Sequence, residues 1–202
     1  MRKRQALPFI KIIICFAFAV FDYHISLFAK LHFRPLFLDT IFEMTAAFSF
    51  GPFYGILCVL FKRLWNIILV MNLSRWPGYL YSFCTIFAVL IVCPFKKKYL
   101  DEEQDKLLLI IKLFLLSIII CLEMSITGGI IGRIVAAIQH TPYSMTVQTD
   151  SFMQFFANFI HSTLILEIIS RIPVNAIDRI ITVFLPYGMA LIITRMMNHE
   201  KD

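Results

Sequence analysis

The amino-acid sequence predicts an all-α integral membrane protein, a bundle of about six transmembrane helices that forms a single domain over residues 1–202. Hydrophobic residues make up 59% of the chain, whereas a soluble domain holds about 45–50%. The chain contains 21 Phe, and its mean hydropathy is +0.80. The longest polar stretch, residues 96–106, is only about as long as a loop, so we expect no separate soluble domain within the chain.

The first predicted span is Phe9–Leu27, which follows the basic start Met1-Arg2-Lys3-Arg4. A signal peptide begins in a similar way, but this apolar run is longer than a signal core and has no small-residue cleavage site. We therefore expect a retained span with its N-terminus inside the cell. The net charge of +6 fits this topology, because Lys and Arg mark cytoplasmic loops, and it does not indicate nucleic-acid binding.

The second and third apolar stretches flank a Gly-Pro break. Leu38–Phe50 is short and ends at Gly51-Pro52, and Phe53–Met71 follows it directly. Because glycine and proline interrupt regular helix, we expect these stretches to form a helical hairpin about Gly51-Pro52.

The remainder of the chain brings the count to about seven apolar stretches. A run of lysines after the fourth stretch falls inside the cell, as the positive-inside rule prefers. Pro173 either divides two spans or marks one stretch as peripheral or re-entrant, and we expect about six true spans plus one partial helix. The later stretches are Tyr79–Val92, Leu107–Ile138 with Thr127-Gly128-Gly129 inside it, Phe152–Ile169 and Ile177–Met197.

Two carboxylates lie at the start of the second stretch. Asp39 and Glu43 are four residues apart and so share one helix face, near a helix N-terminus that favours anions. Asp39 is either a helix cap at the membrane interface or part of a polar site. Glu43 lies deeper, so it needs a cationic partner, a ligand donor or a bound proton.

A set of polar side chains on the third stretch matches these carboxylates in depth. Lys62, Arg63 and Asn66 lie about as far beyond Gly51 as Asp39 lies before it, so a hairpin brings both sets together. Two outcomes are open for them. They form an ion pair within the membrane, or they close a binding site for a polar ligand.

Two further residues are candidates for the same binding site. Glu123 lies near mid-membrane, and Gly128 and Gly132 after it form a GxxxG pattern that allows close helix packing or backbone approach to a ligand. Trp76 lies among aromatic residues that form either an interfacial belt or a stacking surface for a planar ligand.

The sequence lacks recognisable metal-binding, disulfide and enzyme motifs. The five cysteines lie in apolar runs without a CxxC pair, so we expect neither a metal site nor a disulfide. The chain lacks a P-loop, an HExxH and a GxSxG motif, so we expect no enzyme, no cofactor and no ATPase of its own. Any energy-driven transport would need the motor of another chain.

Several of these residues together resemble the substrate-binding S component of energy-coupling factor (ECF) vitamin transporters, with the riboflavin type most similar. The resemblance rests on Asp39, on Gly51-Pro52-x-x-Gly55 and on Lys62 at its spacing from that turn. It extends to Ile172-Pro173-Val174-Asn175-Ala176-Ile177-Asp178, although Asp178 stands where the family usually has Lys. The length and the number of spans also match the family.

The resemblance implies a multi-pass protein of the bacterial cytoplasmic membrane that captures a vitamin-like molecule, with flavin as the first guess. It also implies partners, namely a transmembrane coupling subunit and two ATPase subunits, and it adds Asn175 and Asp178 to the candidate binding residues. Docking to the coupling subunit would use small residues of the first helix, Cys15, Ala17 and Ala19. The alternative is a membrane sensor or interaction protein without a transport role, and an enzyme acting on lipids is a third hypothesis.

Overall fold

The structure, a computed structural model, describes residues 2–33, 36–70, 73–95, 105–142 and 149–199. These residues contain no β-strand, and the all-helical class predicted from the sequence is confirmed for them. The α-helices are α1 (Arg2–His32), α2 (Ile41–Phe50), α3 (Pro52–Val70), α4 (Ser82–Val92), α5 (Lys106–Ile138), α6 (Asp150–Phe156) and α7 (Thr163–His199), and 3-10 helices cover Leu73–Tyr81 and Cys93–Phe95.

Four helical segments in the described part of the chain are long and apolar enough to cross a membrane. Only 22–28% of the residues in their most apolar windows are buried inside the protein, so most of their surface suits contact with lipid. The chain is therefore a multi-pass membrane protein. The four segments are Pro8–His32, Pro52–Leu69, Lys106–Ile138 and Thr163–Met197, and shorter apolar helices cover Ile41–Phe50 and Trp76–Val92.

The short helix α2 lies at the centre of the fold and packs against α1, α3, α4 and α7. On one side, Met44 and Phe48 join the main apolar core, which also includes Leu116 on α5. On the other side, Ala46 packs with small residues of α1 and α3. Because α2 is surrounded by other helices, the polar groups that it carries must find partners inside the protein.

Gly51 alone separates α2 from α3. Its φ of 102° lies in the left-handed region that favours glycine, and Pro52 then supplies the first residue of α3. Gly55, one turn into α3, lies so close to α2 that a Cβ there would be 3.0 Å from the Ala47 Cβ. Small residues thus let α2 and α3 pack closely on either side of Gly51.

Pro173 does not divide two spans, which was one of the two alternatives that the sequence left open. Helix α7 is continuous from Thr163 to His199 and contains both Pro173 and Pro186. Proline is tolerated within membrane helices where neighbouring helices support the backbone. Here α7 packs along α5, the most extensive helix pair in the described structure.

The interruption in this part of the chain falls earlier than predicted. The apolar stretch Phe152–Ile169, expected to be one helix, is split by residues 157–162 between α6 and α7. The backbone carbonyl of Ser162 accepts a hydrogen bond from Leu166 N at 2.9 Å, so this serine directly precedes α7, which begins at Thr163. Phe159 is 72% exposed in the split, which shows that hydropathy alone does not predict burial here.

Close packing of α5 on α7 depends on Gly129. A Cβ at this position would meet the Ile168 side chain and lie 3.0 Å from the Ile168 backbone, whereas at Gly128 it would lie 3.4 Å from the nearest atom. We expect Gly129→Ala to destabilise the protein by about 1–2 kcal/mol, because overpacking outweighs the gain in helix propensity. Unfolding in detergent measures this change, and Gly128→Ala is the matched control. Equal stability of the two variants would contradict the prediction.

Candidate functional site

Two adjoining cavities lie among α1, α3, α5, α7 and the 3-10 helix Leu73–Tyr81. Their volumes are about 270 Å³ and about 320 Å³, and Lys30, Asp39, Arg63 and Gly78 line both of them. Small-molecule sites usually start at about 300 Å³. The first cavity is also lined by Phe37, Tyr81, Cys84, Thr85, Met124, Gly128, Arg171, Asn175 and Arg179, and the second by Tyr23, Ser26, Leu27, Lys62, Asn66 and Tyr79.

Cationic side chains dominate the lining of the two cavities. Among the residues that the structure describes, the one carboxylate in the lining is Asp39, which borders both cavities. Further carboxylates lie close by but outside the lining, where they contact the cations. The cations found among the described lining residues are Lys30, Lys62, Arg63, Arg171 and Arg179.

Lys62 is buried between two carboxylates. Its Nζ lies 2.6 Å from Asp22 Oδ2 and 3.3 Å from Glu43 Oε1, and it also donates to the backbone carbonyl of Asp39. Glu43 is 1% exposed, and its second oxygen, Oε2, has no hydrogen-bond partner among the described residues. Both carboxylates therefore depend on one ammonium group for their compensation.

Asp22 of α1 also caps helix α2. Its Oδ1 accepts a hydrogen bond from Phe42 N at 3.1 Å, so it satisfies a backbone donor in the first turn. Asp39 does not serve as the cap, because Thr40 occupies the N-cap position and forms no side-chain cap bond. One fully buried carboxylate thus joins α1, α2 and α3.

Asp178 of α7 holds the segment that precedes α2. Its Oδ1 accepts hydrogen bonds from Phe37 N at 3.0 Å and Leu38 N at 2.8 Å. Leu38 has a φ of 46°, an uncommon value for a residue other than glycine. Asp178 is fully buried and does not line either cavity. Its position indicates that it supports the segment carrying Asp39.

Arg179 connects α7 to the same segment and to α5. It pairs with the adjacent Asp178, its Nη2 lies 3.5 Å from Asp39 Oδ1, and its Nη1 donates to Thr40 Oγ1 at 2.8 Å. Met124 Sδ on α5 lies 2.9 Å from the same Nη1. Arg179 is 1% exposed and lines the first cavity.

Arg171 occupies the space created by two glycines of α5. Its Nη2 lies 3.2 Å from Glu167 Oε2 and 3.2 Å from the Tyr81 hydroxyl, and its guanidinium lies 5.3 Å from the Tyr81 ring centroid. A Cβ at Gly132 would be 2.8 Å from Glu167 Oε2. The GxxxG pattern of Gly128 and Gly132 therefore makes room for a buried ion pair.

Asn175 lies between the two arginines on the same face of α7, because residues 171, 175 and 179 are spaced by four. Its Nδ2 donates to Ser125 Oγ at 2.9 Å, and the residue lines the first cavity. Asp39, Arg63 and Asn175, all predicted from the sequence, thus border this cavity.

Arg63 and Asn66 border the second cavity, as does Lys62. Arg63 Nε donates to Ser82 Oγ at the start of α4. Ser82 Oγ in turn donates to the carbonyl of Tyr79 at 2.7 Å, which fixes the end of the 3-10 helix beside the cavity.

Four of the predicted binding residues, Glu43, Trp76, Glu123 and Asp178, lie outside the lining of both cavities. Trp76 is 50% exposed. Glu123 is half-buried, and its Oε1 accepts a hydrogen bond at 2.9 Å from Thr127 on the same helix. Glu43, like Asp178, lies behind the lining. It contacts the lining residue Lys62.

Cys15 and Ala19, two of the expected docking residues, lie inside the protein. Both are fully buried, and they pack with Ala46 of α2 and Cys58 of α3. A partner could not contact either side chain without displacing these helices. Ala17 is half-buried.

The charge around Asp39 keeps its carboxyl ionised. Burial alone would raise the pKa of Asp39, but the positive charges of Lys62, Arg179 and Lys30 outweigh this effect and hold the pKa below its ordinary value. At neutral pH the ionised Asp39 therefore lies beside the cations found in the described part of the lining.

Sequence reasoning missed several residues of the site. They are Asp22, which contacts Lys62, and the cavity-lining residues Lys30, Arg171 and Arg179. A charged side chain within the hydrocarbon core of a membrane is costly, which is why Glu43 was expected to have a partner. The same argument applies to Asp22, which lies within the first apolar stretch. The four-residue spacing from Arg171 through Asn175 to Arg179 was the available signal for a polar face on α7.

Within the described ranges, no group of three or more His, Cys, Asp or Glu is placed to hold a metal ion. The arrangement can bind a polar molecule through charged and amide side chains. Comparisons with protein-family models, with curated proteins and with solved structures found no match to this chain.

Proposed function

We propose that this protein is a membrane-embedded binding protein that captures a small vitamin-like molecule, as the S component of an ECF-type importer. The observation that carries the proposal is the pair of adjoining cavities, which are lined by charged side chains and bordered by helices of membrane-spanning length. Intramembrane charge is costly, so its concentration around a cavity favours a binding role over simple packing.

In this proposal the two shorter apolar helices complete six crossings, with both termini inside the cell and a hairpin about Gly51. The lining residues Lys30, Asp39 and Arg63 then fall near the outer ends of their elements, as do Tyr81 and Arg171. The cavities therefore open toward the outer half of the bilayer, which suits capture of a molecule from outside the cell.

The proposed partners are a transmembrane coupling subunit and two ATPase subunits, which would supply the energy for inward release. Since Cys15 and Ala19 are buried, we assign docking to the lipid-facing side of α1. Phe9, Ile13 and Ala17 follow one another at four-residue spacing, and the two larger side chains are 66% and 53% exposed. Toppling of the binding protein in the membrane would carry the ligand inward.

The class of protein is tested by purification in mild detergent from native membranes. Mass spectrometry of the intact complex identifies any bound small molecule and any copurifying membrane subunit or ATPase. A vitamin-like ligand with these partners supports the importer. A reproducibly empty protein whose melting temperature no vitamin shifts would favour a sensor or interaction protein instead.

The site assignment predicts that Arg63→Ala and Asn66→Ala each lower ligand affinity by about 10-fold or more. A charge-assisted hydrogen bond contributes about 1.5–3 kcal/mol, and neither residue forms an ion pair in the described structure whose loss would unfold the protein. Titration calorimetry with the copurified ligand measures the change. Arg133→Ala is the matched control, because Arg133 bonds the Pro142 carbonyl at 2.7 Å, away from both cavities. Unchanged affinity in both site variants would remove these residues from the site.

A further inference from the structure

We propose that the ligand of the two adjoining cavities is a small organic anion, with a carboxylate or phosphate group held by the cationic lining. This inference rests on the proposed binding function and specifies the substrate class. A neutral ligand would leave the cations of the lining without a new counter-charge, whereas an anionic ligand would complement them.

The charges are arranged in two layers around the cavities. Among the described residues the lining holds five cations and one carboxylate, Asp39, which pairs with Arg179. The carboxylates of Asp22, Glu43, Glu167 and Asp178 lie behind the cations as their ion-pair partners. A ligand in the cavity is therefore nearer to the cations than to these carboxylates. The carboxylates hold the cationic side chains in position before the ligand arrives, which lowers the entropic cost of binding.

Arg63 is the cation best placed to gain an ion pair from the ligand. It lines both cavities, and its recorded hydrogen bond goes to the neutral Ser82 hydroxyl. In the described part of the chain it forms no ion pair with a carboxylate. A guanidinium offers five donors in a planar fork, which suits bidentate contact with a carboxylate or phosphate.

Arg179 provides a second, independent observation. It lines the first cavity and is 1% exposed, yet its Nε donor has no hydrogen-bond partner among the described residues. Buried donors are rarely left without an acceptor, so an unpaired one beside a cavity calls for an explanation. Arg179 borders the first cavity, so an acidic group of the ligand there would lie beside its positive charge.

The first cavity also has a less polar side, formed by Phe37, Tyr81, Cys84 and Met124. Simple inorganic anions would leave this surface without a partner. The combination of an apolar wall with cationic groups therefore fits an organic acid or phosphate ester, in which an apolar or aromatic body carries the acidic group.

The test compares anionic and neutral forms of the same molecule on the protein purified in mild detergent. The probes are nicotinate against nicotinamide, pantothenate against pantothenol, and flavin mononucleotide against riboflavin, and the bound molecule released from native protein is identified as well. The first two pairs report on a carboxylate and the third on a phosphate. We expect the anionic member of at least one pair to bind at least about 10-fold more tightly.

The same titrations on Arg63→Gln should reduce this preference by about 10-fold, whereas Arg133→Gln, a matched change away from the cavities, should preserve it. A native ligand that carries an acidic group also supports the proposal, even if it lies outside the probe panel. A neutral native ligand, or probe binding without an anion preference in any of the three pairs, overturns the anion inference and leaves the binding function standing. If no probe binds and the native protein is empty, both proposals fail.

Discussion

Replacing Lys62 by methionine is expected to destabilise the protein by about 3–5 kcal/mol, the usual cost of removing one partner from a buried ion pair. The ammonium of Lys62 lies between Asp22 and Glu43, which are 0% and 1% exposed. Without it, two carboxylates remain close together in the interior. Detergent-solubilised protein titrated with a denaturing detergent gives the free energy of unfolding.

Two further variants separate this effect from a general loss of packing. The exposed Lys106→Met should leave stability within about 0.5 kcal/mol of the parent protein. Combining Lys62→Met with Asp22→Asn and Glu43→Gln removes all three charges and should recover most of the lost stability, because neutral side chains need no counter-charge. A triple variant as unstable as the single variant would show that Lys62 acts through packing.

Replacing Asp178 by asparagine is expected to destabilise the protein by about 3–5 kcal/mol and to weaken ligand binding. The fully buried Asp178 carboxylate pairs with Arg179 and accepts hydrogen bonds from the backbone of Phe37 and Leu38. The variant removes the charge that compensates Arg179 and weakens the support of the segment carrying Asp39.

The same unfolding measurement, together with ligand titration, tests this prediction. Asp105→Asn is the matched control, because Asp105 is an exposed helix cap and asparagine caps equally well. If Asp178→Asn unfolds like the parent protein but loses ligand affinity, Asp178 contacts the ligand directly, as the resemblance to ECF binding proteins implied. If both properties are unchanged, neither role holds.

The sequence predicted the membrane class and part of the polar site correctly, but it did not predict where the later helices begin and end. Hydropathy identified the long spans, and spacing about Gly51 placed Asp39 and Glu43 at the depth of Lys62, Arg63 and Asn66. Within these two sets, Glu43 and Lys62 contact each other at 3.3 Å. Hydropathy did not predict that α7 continues through Pro173, or that residues 157–162 interrupt the apolar stretch before it. Both features depend on packing against α5 and on local backbone contacts, which composition does not encode.

The sequence by itself determined that this is an all-helical membrane protein with several charges that need partners. Its hydrophobic fraction leaves no other environment, and backbone groups in lipid must bond within their own helix. Only the tertiary structure decided which charges meet. Asp178 bonds the backbone of Phe37 although 141 residues separate them, and Asp22 bonds Lys62 across 40 residues. Such pairings follow from how α1, α2, α3 and α7 pack in three dimensions, because no local periodicity relates residues so far apart.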